Sequence, residues 1–195
     1  MEYTEELKTW EDPFYEALAG KKIAGIKALQ VNPKYFAFDP ERIWVIDGGV
    51  VFSLEDGQEL TFAWNKEVEL MDMQFCEPTA LLGGLDFYEI EEVSAKVNNL
   101  IANNTVSDIA FEWNWYQMLN DDFELEEQLH YAPLGLTLTF EDGQTLQLAS
   151  IRFALQGQTL ADAKYLPEGD MLVSINELVP ISLEEDGDAN NMIDY

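Results

Sequence analysis

Gly49-Val50-Val51-Phe52-Ser53-Leu54-Glu55-Asp56-Gly57-Gln58-Glu59-Leu60-Thr61-Phe62 has a close counterpart in Gly135-Leu136-Thr137-Leu138-Thr139-Phe140-Glu141-Asp142-Gly143-Gln144-Thr145-Leu146-Gln147-Leu148, at a constant offset of 86 residues. In each, apolar residues alternate up to an Asp-Gly pair and alternate again beyond it. A period of two puts one face of a strand against a core, and Asp-Gly supplies the positive φ of a tight turn. Each stretch therefore predicts a β-hairpin, closed at Asp56-Gly57 and at Asp142-Gly143.

Upstream of the hairpins, Leu18-Ala19 with Ile23 and Ile26 matches Ile101-Ala102 with Val106 and Ile109 at an offset of 83, so a three-residue insertion separates the two offsets. Downstream, Leu85 and Val93 fall on Met171 and Val179, again 86 apart. A recurrence of this length predicts a tandem duplication: an N-terminal helical segment over 1–11, unit one over 12–93, unit two over 94–181 and an acidic tail over 182–195. Within unit one, Asp12 as cap, Pro13 in the first turn and Gly20 as the stop predict a short helix over 13–19. In unit two, Val93, Val97, Leu100 and Ile101 form a helical stripe that ends at Asn103-Asn104. Strands over 23–31 and 106–116 follow the two helices. Tyr3, Leu7 and Trp10 have the spacing of an added N-terminal helix. The fold class expected is α+β, internally duplicated, mainly antiparallel hairpins with one short helix per unit plus the N-terminal helix.

The 195 residues carry 38 Asp and Glu against 10 Lys and Arg, a net charge of −28, yet 47% are hydrophobic. That apolar content builds a core, so the charge belongs to a folded surface and not to disorder. Cys76 is the one cysteine, and no apolar window approaches the length of a membrane span. With no secretory leader pattern, the expected location is the cytoplasm. Neither anionic lipid nor a phosphate backbone suits this charge, so no membrane and no direct nucleic-acid partner is expected. The partner that fits is a basic protein; a solvated surface serving solubility explains the charge equally well.

Candidate chemistry is sparse. His130 has no recognisable nucleophile setting, and Cys76 has no companion cysteine and no basic neighbours to activate it. Asp186-Gly187-Asp188-Ala189-Asn190 opens like a calcium loop but places Asn191 where the turn glycine belongs and ends too soon for the twelfth ligand. Gly48-Gly49 and Gly83-Gly84 lack the spacing of a phosphate loop and read as turns or bulges. The sequence thus points to no catalytic residue, no metal and no cofactor.

Two asymmetries remain. Phe111, Trp113 and Trp115 alternate on one strand face, either as core or as an aromatic patch on unit two. No Lys or Arg occurs from Val97 to Ile151, and that interval contains Asp121, Asp122, Glu124, Glu126 and Glu127 interleaved with Phe123, Leu125 and Leu129. These five carboxylates, with Trp113 and Trp115, are the candidate partner-binding residues. The function expected is a non-enzymatic acidic module that occupies a cationic site on another protein, as an immunity protein or a nucleic-acid mimic does. An enzyme or small-ligand binder with a carboxylate-lined cleft between the units, using His130, is the alternative, and a self-associating structural module a third.

Overall fold

The computed structural model describes residues 5–32, 34–102, 104–116, 130–156 and 159–183. The elements run α1 (Glu5–Leu18), β1 (Ile23–Gln30), β2 (Phe36–Asp39), β3 (Ile43–Ile46), β4 (Gly49–Leu54), β5 (Glu59–Asn65), β6 (Leu70–Gln74), α2 (Pro78–Leu82), β7 (Tyr88–Glu89), α3 (Glu91–Ile101), β8 (Val106–Tyr116), β9 (His130–Phe140), β10 (Thr145–Gln156), β11 (Thr159–Tyr165) and β12 (Asp170–Ile175). Mixed α+β architecture follows from them: two antiparallel sheets, ordered β6-β5-β4-β1-β7 and β2-β3-β12-β10-β9-β8, with β11 also paired to β10.

Both predicted hairpins form, and their local chemistry is the same. The β4–β5 ladder sets Gly49 opposite Ala63 and Phe52 opposite Leu60; β9–β10 sets Gly135 opposite Ala149 and Leu138 opposite Leu146. Gly57 and Gly143 take φ of 86° and 83°, the left-handed region where a side chain is costly. Asp56 and Asp142 each accept the backbone N–H two residues on, from Gln58 and Gln144.

The strands ahead of the hairpins also share a register. β1 pairs β4 with Ile26 opposite Phe52 and a shift between Ile23 and Gly25; β8 pairs β9 with Ile109 opposite Leu138 and a shift between Val106 and Asp108. These equivalences keep the offsets of 83 and 86. At the other side, β5–β6 sets Phe62 opposite Met73, and β10–β12 sets Leu148 opposite Val173. Met171 accordingly stands where Met71 does, opposite Ser150 and Trp64, and not where Leu85 does. The match of Leu85 to Met171 fails because the longer β10 and the added β11 lengthen the chain between β10 and its neighbour β12.

A second difference lies in α1. The described helix runs from Glu5 through Pro13 to Leu18, so no break separates 5–11 from 12 onward. An interior proline costs about 3 kcal/mol. Leu7, Phe14 and Leu18 are all buried, and at about 1.5–3 kcal/mol each their burial outweighs that cost.

One hydrophobic cluster lies between the sheets. Ile26, Val50, Phe52, Phe62 and Met73 of the first meet Leu136, Leu138, Leu148 and Val173 of the second, with Trp44 and Ile46 of β3. Val93, Val97 and Leu100 of α3 and Phe14 and Leu18 of α1 close the same cluster. Elements cross over to do this. β3 pairs with β12, α3 packs along β1, and α1 packs against β8. Where the chain passes from α1 to β1 and from α3 to β8, Lys22 and Thr105 form an antiparallel bridge. They are equivalent positions under the offset of 83.

α3 also completes the edge of β1. Ile26 N–H donates to Asn98 Oδ1 (2.8 Å), Asn98 Nδ2 donates to Ile26 O (2.7 Å), Ala28 N–H donates to Ser94 Oγ (3.0 Å) and Ile90 N–H donates to Ala28 O (2.8 Å). An edge strand is thereby satisfied without a neighbour over those residues. Asn98→Leu removes both partners of Ile26 and leaves two polar groups unpaired, so it is expected to cost about 2–4 kcal/mol in urea unfolding. Tyr15→Leu, at the equivalent position of α1, makes no such bond and is expected to cost under about 1 kcal/mol. Equal losses would show that Asn98 acts only by filling space.

Candidate interaction surface

The two helix–strand pairs related by the offset of 83 differ at several positions. Where α3 has Val93, Ser94, Val97 and Asn98, α1 has Trp10, Glu11, Phe14 and Tyr15; where β1 has Ala28 and Leu29, β8 has Phe111 and Glu112. Small and aliphatic groups in one pair are aromatic or acidic in the other. The consequence is a surface along α1 and β8 that has no counterpart along α3 and β1.

Trp113 and Trp115 do not share one environment. Trp113 is 8% exposed, and its indole N–H donates to Glu11 Oε1 at 2.7 Å. Its ring lies 6.4 Å from Phe14 and 5.8 Å from Phe111, while Phe14 stacks on Phe75 at 5.3 Å. Trp115 is 49% exposed. The strand changes register between Glu112 and Trp113, and the residue opposite Trp113 is Pro133. Proline brings no N–H to the ladder, so a slip there costs less than elsewhere. Past it, Trp115 pairs with Tyr131, and Tyr131 is covered in turn by Trp10 at 6.4 Å. Trp10, 44% exposed, and Trp115 therefore flank the buried Tyr131.

β8 is the outer strand of its sheet. Tyr15 stands at the position of Asn98, and Glu11, at that of Ser94, accepts from Trp113 Nε1. Asp108 and Glu112 are exposed along β8. Charges on an edge oppose pairing with a like edge, which counts against self-association through this strand. Asp121, Asp122, Glu124, Glu126 and Glu127 lie outside the described residues, as does the calcium-like stretch at 186–190.

Elsewhere, burial shifts several titratable groups. Burial, followed by the Asp72 carboxylate, pushes the Cys76 thiol above its ordinary value. His130 begins β9, opposite Tyr116. Burial and Glu112 raise Tyr165 to about 12. A hollow of about 240 Å³ beside Arg152 and Phe153 has Glu168 and Asp170 in its lining. Burial, and then Asp47 across from it, raise Asp170 above the usual carboxylate range. Asp47, however, is engaged by the backbone N–H groups of Val31 and Asn32, both at 2.9 Å, and so holds the end of β1. No group of three or more His, Cys, Asp and Glu suited to a metal occurs among the described residues, and no described helix is long and apolar enough to cross a membrane.

Two measurements follow from these shifts. A carboxyl whose folded pKa lies above its unfolded value binds its proton more tightly in the native state, so stability rises as pH falls through the folded pKa toward the unfolded one. Asp170→Asn is expected to raise the melting temperature at pH 7 and to reduce the gain that wild type shows on mild acidification; a lower melting temperature at pH 7 would contradict the burial argument. Cys76 is expected to react with iodoacetamide at pH 7 more slowly than free cysteine, because its thiolate fraction is reduced. A faster reaction would reveal an activated thiol. Comparison with protein-family models, with curated proteins and with solved structures finds no match for this chain.

Proposed function

We propose that the protein is a non-enzymatic binding module that captures a basic partner protein, and that its frame arose by tandem duplication of a helix followed by an antiparallel meander. The shared registers of β1-β4-β5-β6 and β8-β9-β10-β12 support the duplication. The observation that carries the function is the pair of exposed aromatics Trp10 and Trp115 on α1 and β8, where the other half has the buried Val93 and the polar Asn32. Divergence of one half in that direction is what acquisition of a partner requires.

Charge supports the same reading. The stretch without Lys or Arg, 97–151, includes all of β8 and β9 and the five carboxylates between them. A negative field of this kind steers a cationic partner and speeds association at low salt. The mode of action is that of an immunity protein or of an inhibitor that imitates a nucleic acid, and the location it suits is the cytoplasm. The raised Cys76 thiol and the engagement of Asp47 favour binding over a reaction in a cleft.

Reversing Asp121, Asp122, Glu124, Glu126 and Glu127 to Lys is the direct test. The association rate with a lysine-rich peptide is expected to fall about tenfold or more at low salt, with the melting temperature unchanged or raised as self-repulsion is relieved. A pull-down from native cytoplasm should lose basic proteins in the same variant. Equal rates and the same recovered proteins would leave the acidic surface as a solubility device.

A further inference from the structure

On the face of the second sheet turned away from the shared core, Ile43, Val45, Ile151 and Leu172 form a smaller cluster. Asp170 begins β12 opposite Ile151 of β10, and Phe153, two residues on from Ile151, stands on the same face. Phe36 and Phe38 of β2 meet the Phe153 ring edge-on, at 5.4 and 5.7 Å. The turn between β11 and β12, closed by Gly169 N–H donating to Leu166 O at 3.0 Å, completes the hollow of about 240 Å³ in which Phe153, Leu166, Glu168 and Asp170 take part. Burial and then Asp47 disfavour the charged form of Asp170, and among the described residues its carboxylate accepts no hydrogen bond. Asp47 is already engaged by Val31 and Asn32. An acid disfavoured in this way weakens the fold at neutral pH, and its place in a hollow marks a candidate site.

We infer that this hollow seats one cationic side chain of the basic partner, its charge taken by the carboxylates of Asp170 and Glu168 and its apolar stem laid against Phe153 and Leu166. The inference rests on the proposed capture of a basic partner and names the place where one of its charges is received. Size favours a side chain over a free small molecule, whose sites run to about 300–1,000 Å³. Charge favours a cation, because an incoming ammonium supplies the neighbour that Asp170 lacks and restores its ionised form, while the ring of Phe153 attracts the same charge. Arg152 also borders the hollow, but alternation along β10 turns it to the face opposite Ile151 and Phe153, where Lys164 stands across from it. A metal ion would find too few ligands, since no group of three or more His, Cys, Asp and Glu suited to one occurs among the described residues. The cost of Asp170 to the fold and its gain on binding then have one source.

The probe is an acetylated, amidated nonapeptide of alternating glycine and lysine, compared at low salt with the same peptide acetylated on every lysine side chain, which keeps the stems and lacks the charge. With ¹⁵N-labelled wild-type protein, the lysine peptide is expected to shift the amide resonances of Gly169 and Asp170 and to leave that of Phe62, buried in β5, in place. Asp170→Asn is expected to weaken lysine-peptide binding about fivefold while its melting temperature stays at or above that of wild type, and Phe153→Leu to weaken binding about twofold. Binding of the lysine peptide with Gly169 and Asp170 unshifted and Asp170→Asn unimpaired would overturn this inference and leave the functional reading standing. Equal shifts at these amides with the acetylated peptide would overturn it in favour of an apolar occupant, and shifts with calcium chloride but not with the peptide would overturn it in favour of a metal ion. Failure of the lysine peptide to bind at low salt would bring down the functional reading, and the inference with it. Because the labelled wild type reports directly, a variant that fails to fold does not remove the test.

Discussion

Neither sheet can bury its inner face without the other. Phe52 and Phe62 from one sheet and Leu138 and Leu148 from the other belong to a single cluster, and the elements that close it are exchanged: α3 lies along β1, α1 along β8, and β3 joins the far edge of β12. Each half of the chain therefore lacks part of its own core until the other half supplies it. The bridge between Lys22 and Thr105 ties the halves just ahead of β1 and β8. Stability in such an arrangement is a property of the pair, which is why a proline within α1 is tolerated when Leu7, Phe14 and Leu18 all lie in the shared core.

Much of this was legible locally. The two Asp-Gly hairpins, the extent of β8 and the stripe of α3 follow from period, turn chemistry and caps, because those features depend on residues close in the chain. What was not legible depends on tertiary partners. Asp12-Pro13 has the form of a helix start, and only burial of Leu7 against a distant sheet shows why the helix begins earlier. Alternation set Trp113 and Trp115 on one face, but Pro133, a residue from another strand, is where the register shifts and their exposures part. The false match of Leu85 to Met171 came from counting at a fixed offset through an insertion that sequence spacing does not reveal.

The candidate surface was half visible. Trp113 and Trp115 were marked by the run they belong to, whereas Trp10, Glu11 and Tyr131 were not, since nothing in the sequence brings an N-terminal helix onto β9. Comparing equivalent positions supplied the missing signal. Ser94 and Asn98 bond the edge of β1, whereas Glu11, at the place of Ser94, accepts from Trp113. At the offset of 83, Val93, Ser94, Val97 and Asn98 are matched by aromatic or acidic residues, and Glu91 by Lys8. Electrostatic steering and aromatic burial are then complementary: the first acts at long range and weakens with salt, the second acts at contact and sets how long a partner stays.

Native-state hydrogen exchange tests the shared core most directly, because it reads the opening of each sheet separately. The slowest amides of β5, around Phe62, and those of β10, around Leu148, are predicted to exchange with the same free energy of opening and the same dependence on denaturant, both matching global unfolding. If β9 and β10 exchanged at denaturant concentrations where β4 and β5 stayed protected, or the reverse, the two sheets would be independent and the account of one exchanged core would be wrong.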